Sequence, residues 1–153
     1  MRTFIEWRDE WLLGISQVNG EHQELTRLFN RAAVRFSCAP EGPSAGKASE
    51  RSREIIGLLQ ELGEHVRIHF ENEEDVMRDA GYPDFDSHRV EHLTLLAEYA
   101  ELLRELDKKG VECLDAETLD SLKTWLINHV ANEDIRFGEF YRNRARGGAN
   151  PPE

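Results

Sequence analysis

Four stretches of this 153-residue chain carry apolar residues at helical spacing, with histidines at or next to the same positions. The first predicted helix starts at Asn19, a suitable N-cap, and runs to about Phe36. The second extends from about Ser49 to Asp79, the third spans roughly 86–108, and the fourth runs from about Asp115 to Arg144. Because short connections between amphipathic helices imply antiparallel neighbours, this pattern predicts an all-α, up-down-up-down four-helix bundle.

Segments on either side of the helices complete the predicted domain organisation. Residues 1–18 are rich in aromatic and apolar side chains without a clean helical period, which predicts an N-terminal arm that packs on the bundle. The bundle itself is assigned to residues 19–144. Residues 145–153 contain a Gly-Gly pair and a Pro-Pro pair, and we expect a disordered tail there.

The composition excludes several classes of function. A formal net charge of −11 argues against binding to nucleic acid or to an anionic membrane surface, because both require basic patches. The N-terminus lacks the apolar run of a signal peptide, and no stretch is long enough to span a membrane, so we expect a cytoplasmic protein.

Cys38 and Cys113 lie far apart without CxxC spacing, which predicts neither a disulfide framework nor a zinc knuckle. We expect both cysteines to be free or to fill space.

Seven residues with metal-ligating side chains fall near one end of the predicted bundle: His22, His69, Glu73, His88, His92, His129 and Asp134. Burial of imidazoles and carboxylates carries a desolvation cost that metal coordination usually offsets. Five imidazoles and two carboxylates are too many for one ion, so the set predicts two ions bridged by the carboxylates. Nitrogen-rich, thiolate-free coordination suits iron, with manganese, copper or zinc also compatible.

The spacing on the fourth helix leaves one ligand open. His88 and His92 are four residues apart and therefore share a helical face. His129 and Asp134 are five residues apart, which places them about 140° apart on an ideal α-helix. Either a π-type turn brings Asp134 inward, or the nearer Glu133 is the ligand.

Other patterns narrow the class of site. The Glu-x-x-His pair of ferritin-like carboxylate sites is absent, and so is the HExxH motif of zinc proteases. His65 lies one turn before His69, and we expect it to point into the same core in a packing role or beside a ligand. In the acidic run 71–75, Glu73 is expected to be the inward member of a solvated face.

At these residues the chain resembles the hemerythrin family, over roughly residues 4–137. Four motifs occur in the order typical of the family, each around potential ligands. They are an aromatic-rich opening with Gly14-Ile15 and Asn19-Gly-Glu-His22, then His69-Phe-Glu-Asn-Glu73-Glu-Asp-Val-Met77, then Gly81-Tyr-Pro with His88 and His92, and finally Trp125-Leu126 with His129 and Asp134. The family usually has aspartate where this chain has Asn19.

The resemblance implies a pair of irons with a solvent-derived oxo or hydroxo bridge. One iron would have three histidines, the other would have two and an open position, and both carboxylates would bridge. By this resemblance, the first iron would be held by His88, His92 and His129, and the second by His22 and His69. The bridging carboxylates would be Glu73 and Asp134. The resemblance also selects Asp134 rather than Glu133, and it suggests that Leu126, with Trp125 beside it, lines a dioxygen pocket.

The function implied is reversible, non-enzymatic binding of dioxygen for storage, delivery or sensing. We expect a monomer, with an oxygen-consuming enzyme or a reductase as a candidate partner. One alternative is a module that senses oxygen, iron or nitric oxide through a partner protein. Another is a di-iron enzyme with a minor peroxidase-type or nitric-oxide-consuming activity.

Overall fold

The computed structural model describes residues 5–6, 8–11, 13–38 and 48–147. The helices are α1 (Ser16–Phe36), α2 (Ala48–Ala80), α3 (Phe85–Lys109), α4 (Ala116–Asn128), a π-helical segment (His129–Asp134) and α5 (Ile135–Gly147). The last three follow one another without a break and together form the fourth bundle helix, residues 116–147. α2 packs against both α1 and α3. The predicted all-α four-helix bundle is confirmed.

Local sequence signals explain where the helices end and begin. Gly81 follows α2 and Gly110 follows α3, and both have positive φ, 69° and 62°, which glycine adopts without a steric penalty. The Gly110 N–H donates to the Leu106 carbonyl and so closes the last turn of α3. At the start of α4, the Asp115 carboxylate accepts a 2.8 Å hydrogen bond from the Thr118 N–H, as an N-cap residue should.

The start of α1 differs from the prediction. The helix begins at Ser16, so Asn19 lies inside it and is not the N-cap. The Asn19 side chain turns back to the arm instead, where its Oδ1 accepts a 2.7 Å hydrogen bond from the Leu13 N–H. The wrong boundary has a simple cause: an asparagine that accepts from a backbone N–H outside the helix has the same sequence signature as one that caps it.

The arm packs on the bundle through buried apolar side chains. Ile5, Trp11 and Leu13 are all buried, and Asp9–Trp11 forms a short 3-10 turn. Asn30 of α1 holds the arm by donating to the Ile5 carbonyl and accepting from the Ile5 N–H, at 2.9 and 2.6 Å. The division of the chain at residue 18 stays a prediction.

The C-terminal boundary also shifts. α5 continues to Gly147, so residues 145–147 are helical and do not belong to the predicted disordered tail. The rest of that predicted tail, residues 148–153, lies outside the described residues. Among the described helices, none is both long and apolar enough to cross a membrane.

Two apolar clusters fill the bundle, one above the other. The larger contains residues such as Leu25, Val66 and Val130, and the smaller contains residues such as Val18, Met77 and Phe137. On α1, on α2 and on the fourth helix, the predicted ligands lie at the boundary between the larger and the smaller cluster. The structure therefore has a polar layer between two apolar layers.

The cysteine prediction is wrong, because Cys38 and Cys113 form a disulfide with a Cα–Cα distance of 4.9 Å. The chain following α1 meets the loop before α4, where the Cys38 N–H donates to the Leu114 carbonyl and the Leu114 N–H donates to the Phe36 carbonyl. Their separation of 75 residues hides this proximity in the sequence. Because Cys38 follows the C-terminus of α1 and His22 lies near its N-terminus, the disulfide and the polar layer are at opposite ends of that helix.

Candidate metal centre

All seven predicted ligands meet in the polar layer. Their side chains come from all four bundle helices, and each residue is between 0% and 3% exposed. The list, in chain order, is His22 from α1, His69 and Glu73 from α2, His88 and His92 from α3, and His129 and Asp134 from the π-helical segment. The bundle topology thus converts seven scattered positions into one compact cluster.

The cluster consists of two overlapping groups that each have the dimensions of a metal site. Within each group, one donor atom per residue lies within 4.8 Å of all the others. The three-histidine group contains His88, His92 and His129, the two-histidine group contains His22 and His69, and both contain Glu73 and Asp134. The two carboxylates are therefore common to both groups.

In the three-histidine group, the imidazoles present Nε2 to one oxygen of each carboxylate. His88 Nε2 lies 3.0 Å from Glu73 Oε1 and 3.1 Å from Asp134 Oδ1. His92 Nε2 lies 3.0 Å from Glu73 Oε1, and His129 Nε2 lies 2.9 Å from Asp134 Oδ1.

The two-histidine group uses the other oxygen of each carboxylate. His22 Nε2 lies 2.9 Å from Asp134 Oδ2 and 3.6 Å from Glu73 Oε2. His69 Nε2 lies 3.6 Å from Glu73 Oε2. Each carboxylate thus directs one oxygen to each group, which is the arrangement that a bridging ligand requires.

Unsatisfied polar atoms show that the layer suits a cation. His69 Nε2, Glu73 Oε2 and Asp134 Oδ2 are buried and make no hydrogen bond. Leaving a buried polar atom without a partner costs about 1–3 kcal/mol, and more for a charged group. Coordination to a metal would satisfy all three atoms, and a nitrogen and oxygen donor set without thiolate suits iron.

The π-helical segment brings Asp134 into the layer. It spans His129–Asp134, and its wider turn places residues five apart on one side of the helix. Asp134 is fully buried, whereas the side chain of its neighbour Glu133 is 31% exposed. Of the two alternatives left by the sequence spacing, the structure has the π-type turn.

The charges in the layer depend on one another. Burial opposes the charged forms of His22 and His88, but the Asp134 and Glu73 carboxylates close to both rings outweigh it and raise both pKa values to about 9. Burial also opposes the ionisation of Glu73, yet the imidazoles of His129 and the neighbouring histidines around it bring its pKa well below the usual value. The pKa of Asp134 is lowered in the same way, against its burial and the repulsion of Glu73. The layer therefore holds two anionic carboxylates that need positive charge beside them.

Three further carboxylates, absent from the predicted set, surround the layer. Glu21 Oε1 lies 2.7 Å from His69 Nδ1, Glu74 Oε2 lies 2.7 Å from His92 Nδ1, and Glu91 Oε1 lies 3.3 Å from His129 Nδ1. Burial opposes the ionisation of Glu21, but its hydrogen bond with His69 lowers the pKa; a hydrogen bond with His129 lowers the pKa of Glu91. The sequence offers one signal for these carboxylates: each of the three directly precedes or follows a predicted ligand.

His65 does not point into the core, contrary to the prediction. It is exposed on the surface of α2 beside Glu24 of α1 and Ile68. The buried residues of this part of α2 are Leu62, Val66 and His69. His65 is therefore one position away from the inward stripe.

The two residues predicted to line a dioxygen pocket occupy different environments. Leu126 is buried in the larger apolar cluster, one turn before His129. Trp125 is partly buried, donates a 3.1 Å hydrogen bond to the Leu95 carbonyl and packs its ring near that of Tyr99, with centroids 5.0 Å apart. Leu126 thus lies in the apolar layer next to the ligands, while Trp125 joins α3 to the fourth helix.

Comparison with known proteins agrees with this geometry. Residues 13–140 match the family model described as the hemerythrin HHE cation binding domain. A bacteriohemerythrin of Clostridium acetobutylicum is 27% identical over 132 residues, which cover 86% of this chain and 96% of the relative. A bacteriohemerythrin of Methylococcus capsulatus is 30% identical over 95 residues, covering 62% and 69%. A hemerythrin-like protein of Naegleria gruberi is 23% identical over 131 residues, covering 86% and 88%.

Solved structures show the same fold. A wild-type hemerythrin crystal structure aligns with a TM-score of 0.69 at 24% identity, covering 88% of this chain and 95% of that one. A leucine-to-alanine variant of hemerythrin aligns with a TM-score of 0.71 at 22% identity, covering 90% and 97%. The chain belongs to the hemerythrin family, whose members are non-enzymatic, oxygen-binding proteins with non-heme iron.

Proposed function

We propose that this chain binds dioxygen reversibly at two irons held in the polar layer. His88, His92 and His129 would hold one iron, and His22 and His69 the other. The observation that carries the proposal is the orientation of Glu73 and Asp134, each with one oxygen toward each histidine group. A solvent-derived oxo or hydroxo bridge would complete the pair.

The two groups differ in their number of protein donors, and this difference supports a site for dioxygen. The three-histidine group offers five side chains, whereas the two-histidine group offers four. An iron in the smaller group would keep a position open for an external ligand. When bound, the iron pair supplies the electrons with which dioxygen is held.

The apolar layers keep water away from the ligands. The Phe70 ring stacks on the His92 imidazole with centroids 3.8 Å apart and a 4° angle between planes. On the other side of the polar layer, Tyr82 packs edge-on toward His88 and against Phe137. Leu126 lies among the apolar residues next to His129, and we propose that it lines the dioxygen pocket with Trp125 beside it. A dry pocket favours reversible binding because water and protons would otherwise promote oxidation of the site.

Metal analysis and optical spectroscopy test the proposal. We expect two irons per chain and, after anaerobic reduction, a visible absorption band that appears under air and disappears under argon. Protein that contains two irons but gives no reversible band would refute reversible dioxygen binding.

Paired variants test the ligand assignment. Asp134→Asn should remove the anionic bridge and lower the iron content, whereas Glu133→Gln, one residue away, should leave it unchanged. His69→Ala should likewise lower the iron content, and His65→Ala on the same helix should not. Equal iron content within either pair would contradict the assignment.

The biological use proposed is storage, delivery or sensing of dioxygen by a monomer, with an oxygen-consuming enzyme or a reductase as the candidate partner. A cytoplasmic location remains a prediction. The disulfide between Cys38 and Cys113 is more typical of an oxidising compartment and argues against that location.

A further inference from the structure

Three of the five clustered histidines contact a carboxylate on the side of the ring that faces away from the other imidazoles. Glu21 on α1 contacts His69 on α2, Glu74 on α2 contacts His92 on α3, and Glu91 on α3 contacts His129 on the fourth helix. Each of the first three bundle helices therefore supplies a carboxylate to an imidazole of the next helix along the chain. In every case the contact is made through Nδ1, while Nε2 points into the polar layer.

The positions of these carboxylates tie them to the layer. Glu21 directly precedes His22, Glu74 directly follows Glu73, and Glu91 directly precedes His92. The side chains are 25%, 16% and 33% exposed for Glu21, Glu74 and Glu91. They are therefore less hydrated than the surface ion pairs of the same helices, such as Arg67 with Glu64.

Glu21 is the most firmly held of the three. Its Oε2 accepts a 2.7 Å hydrogen bond from Asn72 Nδ2, while Oε1 contacts His69. His69 and Asn72 both lie on α2, and Gln17 of α1 donates a longer hydrogen bond of 3.4 Å to Oε2, so the carboxylate is held by both helices before any metal binds. Glu21 contacts a histidine of the two-histidine group, where the position of each imidazole matters most because there are fewer donors.

An acceptor at Nδ1 has two effects on a ligand histidine. It selects the tautomer with the proton on Nδ1, which leaves the Nε2 lone pair directed at the metal. A carboxylate also increases the basicity of the imidazole, since its negative charge stabilises positive charge on the ring.

We propose that Glu21, Glu74 and Glu91 are positioning residues of the metal centre, which orient the imidazoles of His69, His92 and His129 and strengthen them as donors. This inference rests on the proposed function only in requiring that Nε2 of these histidines binds a metal. Because the three carboxylates lie on partly solvated helix faces, the helical pattern of the sequence gives no sign of this role.

The test measures affinity for Co²⁺ by its visible absorption in metal-free protein, and the midpoint potential of the iron-loaded protein. The variants are Glu→Ala and Glu→Gln at positions 21, 74 and 91. Glu24→Gln, Glu71→Gln and Glu98→Gln are the matched controls, because each removes one negative charge from the same helix without removing a contact with a ligand histidine.

We expect the alanine variants to bind Co²⁺ about 10- to 100-fold more weakly than wild type. The glutamine variants should lose less affinity, because an amide oxygen still accepts from Nδ1. Both the alanine and the glutamine variants should have a higher midpoint potential than their controls, because the negative charge that they lose stabilises the more oxidised irons. Effects should be smaller at Glu91, whose contact is 3.3 Å, than at Glu21 and Glu74. A role in folding alone would not change the potential.

The outcomes separate this inference from the proposed function. If the variants match their controls in both Co²⁺ affinity and midpoint potential, the positioning role is wrong, whatever the wild type does with dioxygen. If the variants weaken Co²⁺ binding and raise the potential but wild type shows no reversible band under air, the positioning role stands and the proposed function is wrong. A wild-type protein that binds neither Co²⁺ nor iron would refute both.

Discussion

Removal of the disulfide between Cys38 and Cys113 should cost a large part of the stability of the fold without affecting the metal centre. The double variant Cys38→Ser/Cys113→Ser keeps side chains of similar size. Cys38 is exposed and Cys113 is only partly buried, so the substitutions create little cavity. The change in stability should therefore come from the lost cross-link.

The size of the loss follows from the length of the loop that the disulfide closes. For cysteines separated by 75 positions in the sequence, the chain-entropy relation gives about 15 cal/mol/K, or about 4.5 kcal/mol at room temperature. Residual structure in the unfolded chain reduces this figure, so we expect a loss of about 2–4.5 kcal/mol. At about 2–4 °C per kcal/mol for a chain of this size, the melting temperature should fall by about 4–18 °C.

Urea denaturation followed by circular dichroism measures the effect. Both proteins are compared metal-free, because a bound metal would add its own stabilisation. The denaturant slope should be larger for the double variant, since an unfolded chain without the cross-link exposes more surface. A reducing agent should lower the stability of wild type to that of the double variant and leave the double variant unchanged.

Two results would refute the reasoning. One is wild-type protein, purified in air without reductant, that titrates with two free thiols. The other is a difference in unfolding free energy below about 1 kcal/mol between the proteins, against the expectation for a loop of this length. Iron content is the internal control: His22 and Cys38 lie 16 residues apart, about 24 Å along a helix, so the content should not change.

Substitutions at two glycines of α2 and at Asn19 test the packing of the bundle. Gly63→Ala would place a Cβ 2.8 Å from the Tyr99 ring, whereas Gly57→Ala on the same helix meets nothing within 4 Å. Urea denaturation should show Gly57→Ala to be more stable than wild type by up to about 1 kcal/mol, and Gly63→Ala less stable than Gly57→Ala by about 1–3 kcal/mol; equal stabilities would contradict the close contact. Asn19→Ala should lower the unfolding free energy by about 1–3 kcal/mol, because it removes the acceptor of the buried Leu13 N–H. Asn19→Asp retains an acceptor and should recover most of that loss, and failure to do so would argue against the hydrogen bond as the cause.

The helices and the ligands were predictable because both leave a periodic signal. Apolar residues at helical spacing gave all four helices to within a few residues, and antiparallel topology then placed the seven ligands at one level. The ligand signal was readable for the same reason. A histidine such as His92, in phase with an apolar stripe, must be buried, and burial needs a partner.

Contacts between residues that do not repeat at the helical period were not predictable from the sequence. Cys38 and Cys113 meet because two loops converge, which no local pattern records. Glu74 contacts His92 from a half-buried position beside the inward stripe, where a carboxylate looks like part of a solvated face. The prediction for His65 was wrong for the converse reason: the residue lies next to the inward stripe of α2 but is exposed. A displacement of one position on a helix decides the cases of Glu74 and His65, and boundaries read from sequence are less accurate than that.

The π-helical segment shows how a local irregularity can mark a functional site. The five-residue spacing of His129 and Asp134 conflicts with a regular α-helix, which would place their side chains about 140° apart. The chain resolves the conflict by widening one turn at the ligands, between the regular helices α4 and α5. Such a turn has poorer backbone packing than an α-helix, so it persists only where other interactions offset that cost. Here the buried Asp134 carboxylate gains contacts with His129, His22 and His88, all at 2.9–3.1 Å. Glu133, at regular spacing, stays at the surface, because the interactions of the polar layer select which carboxylate faces inward.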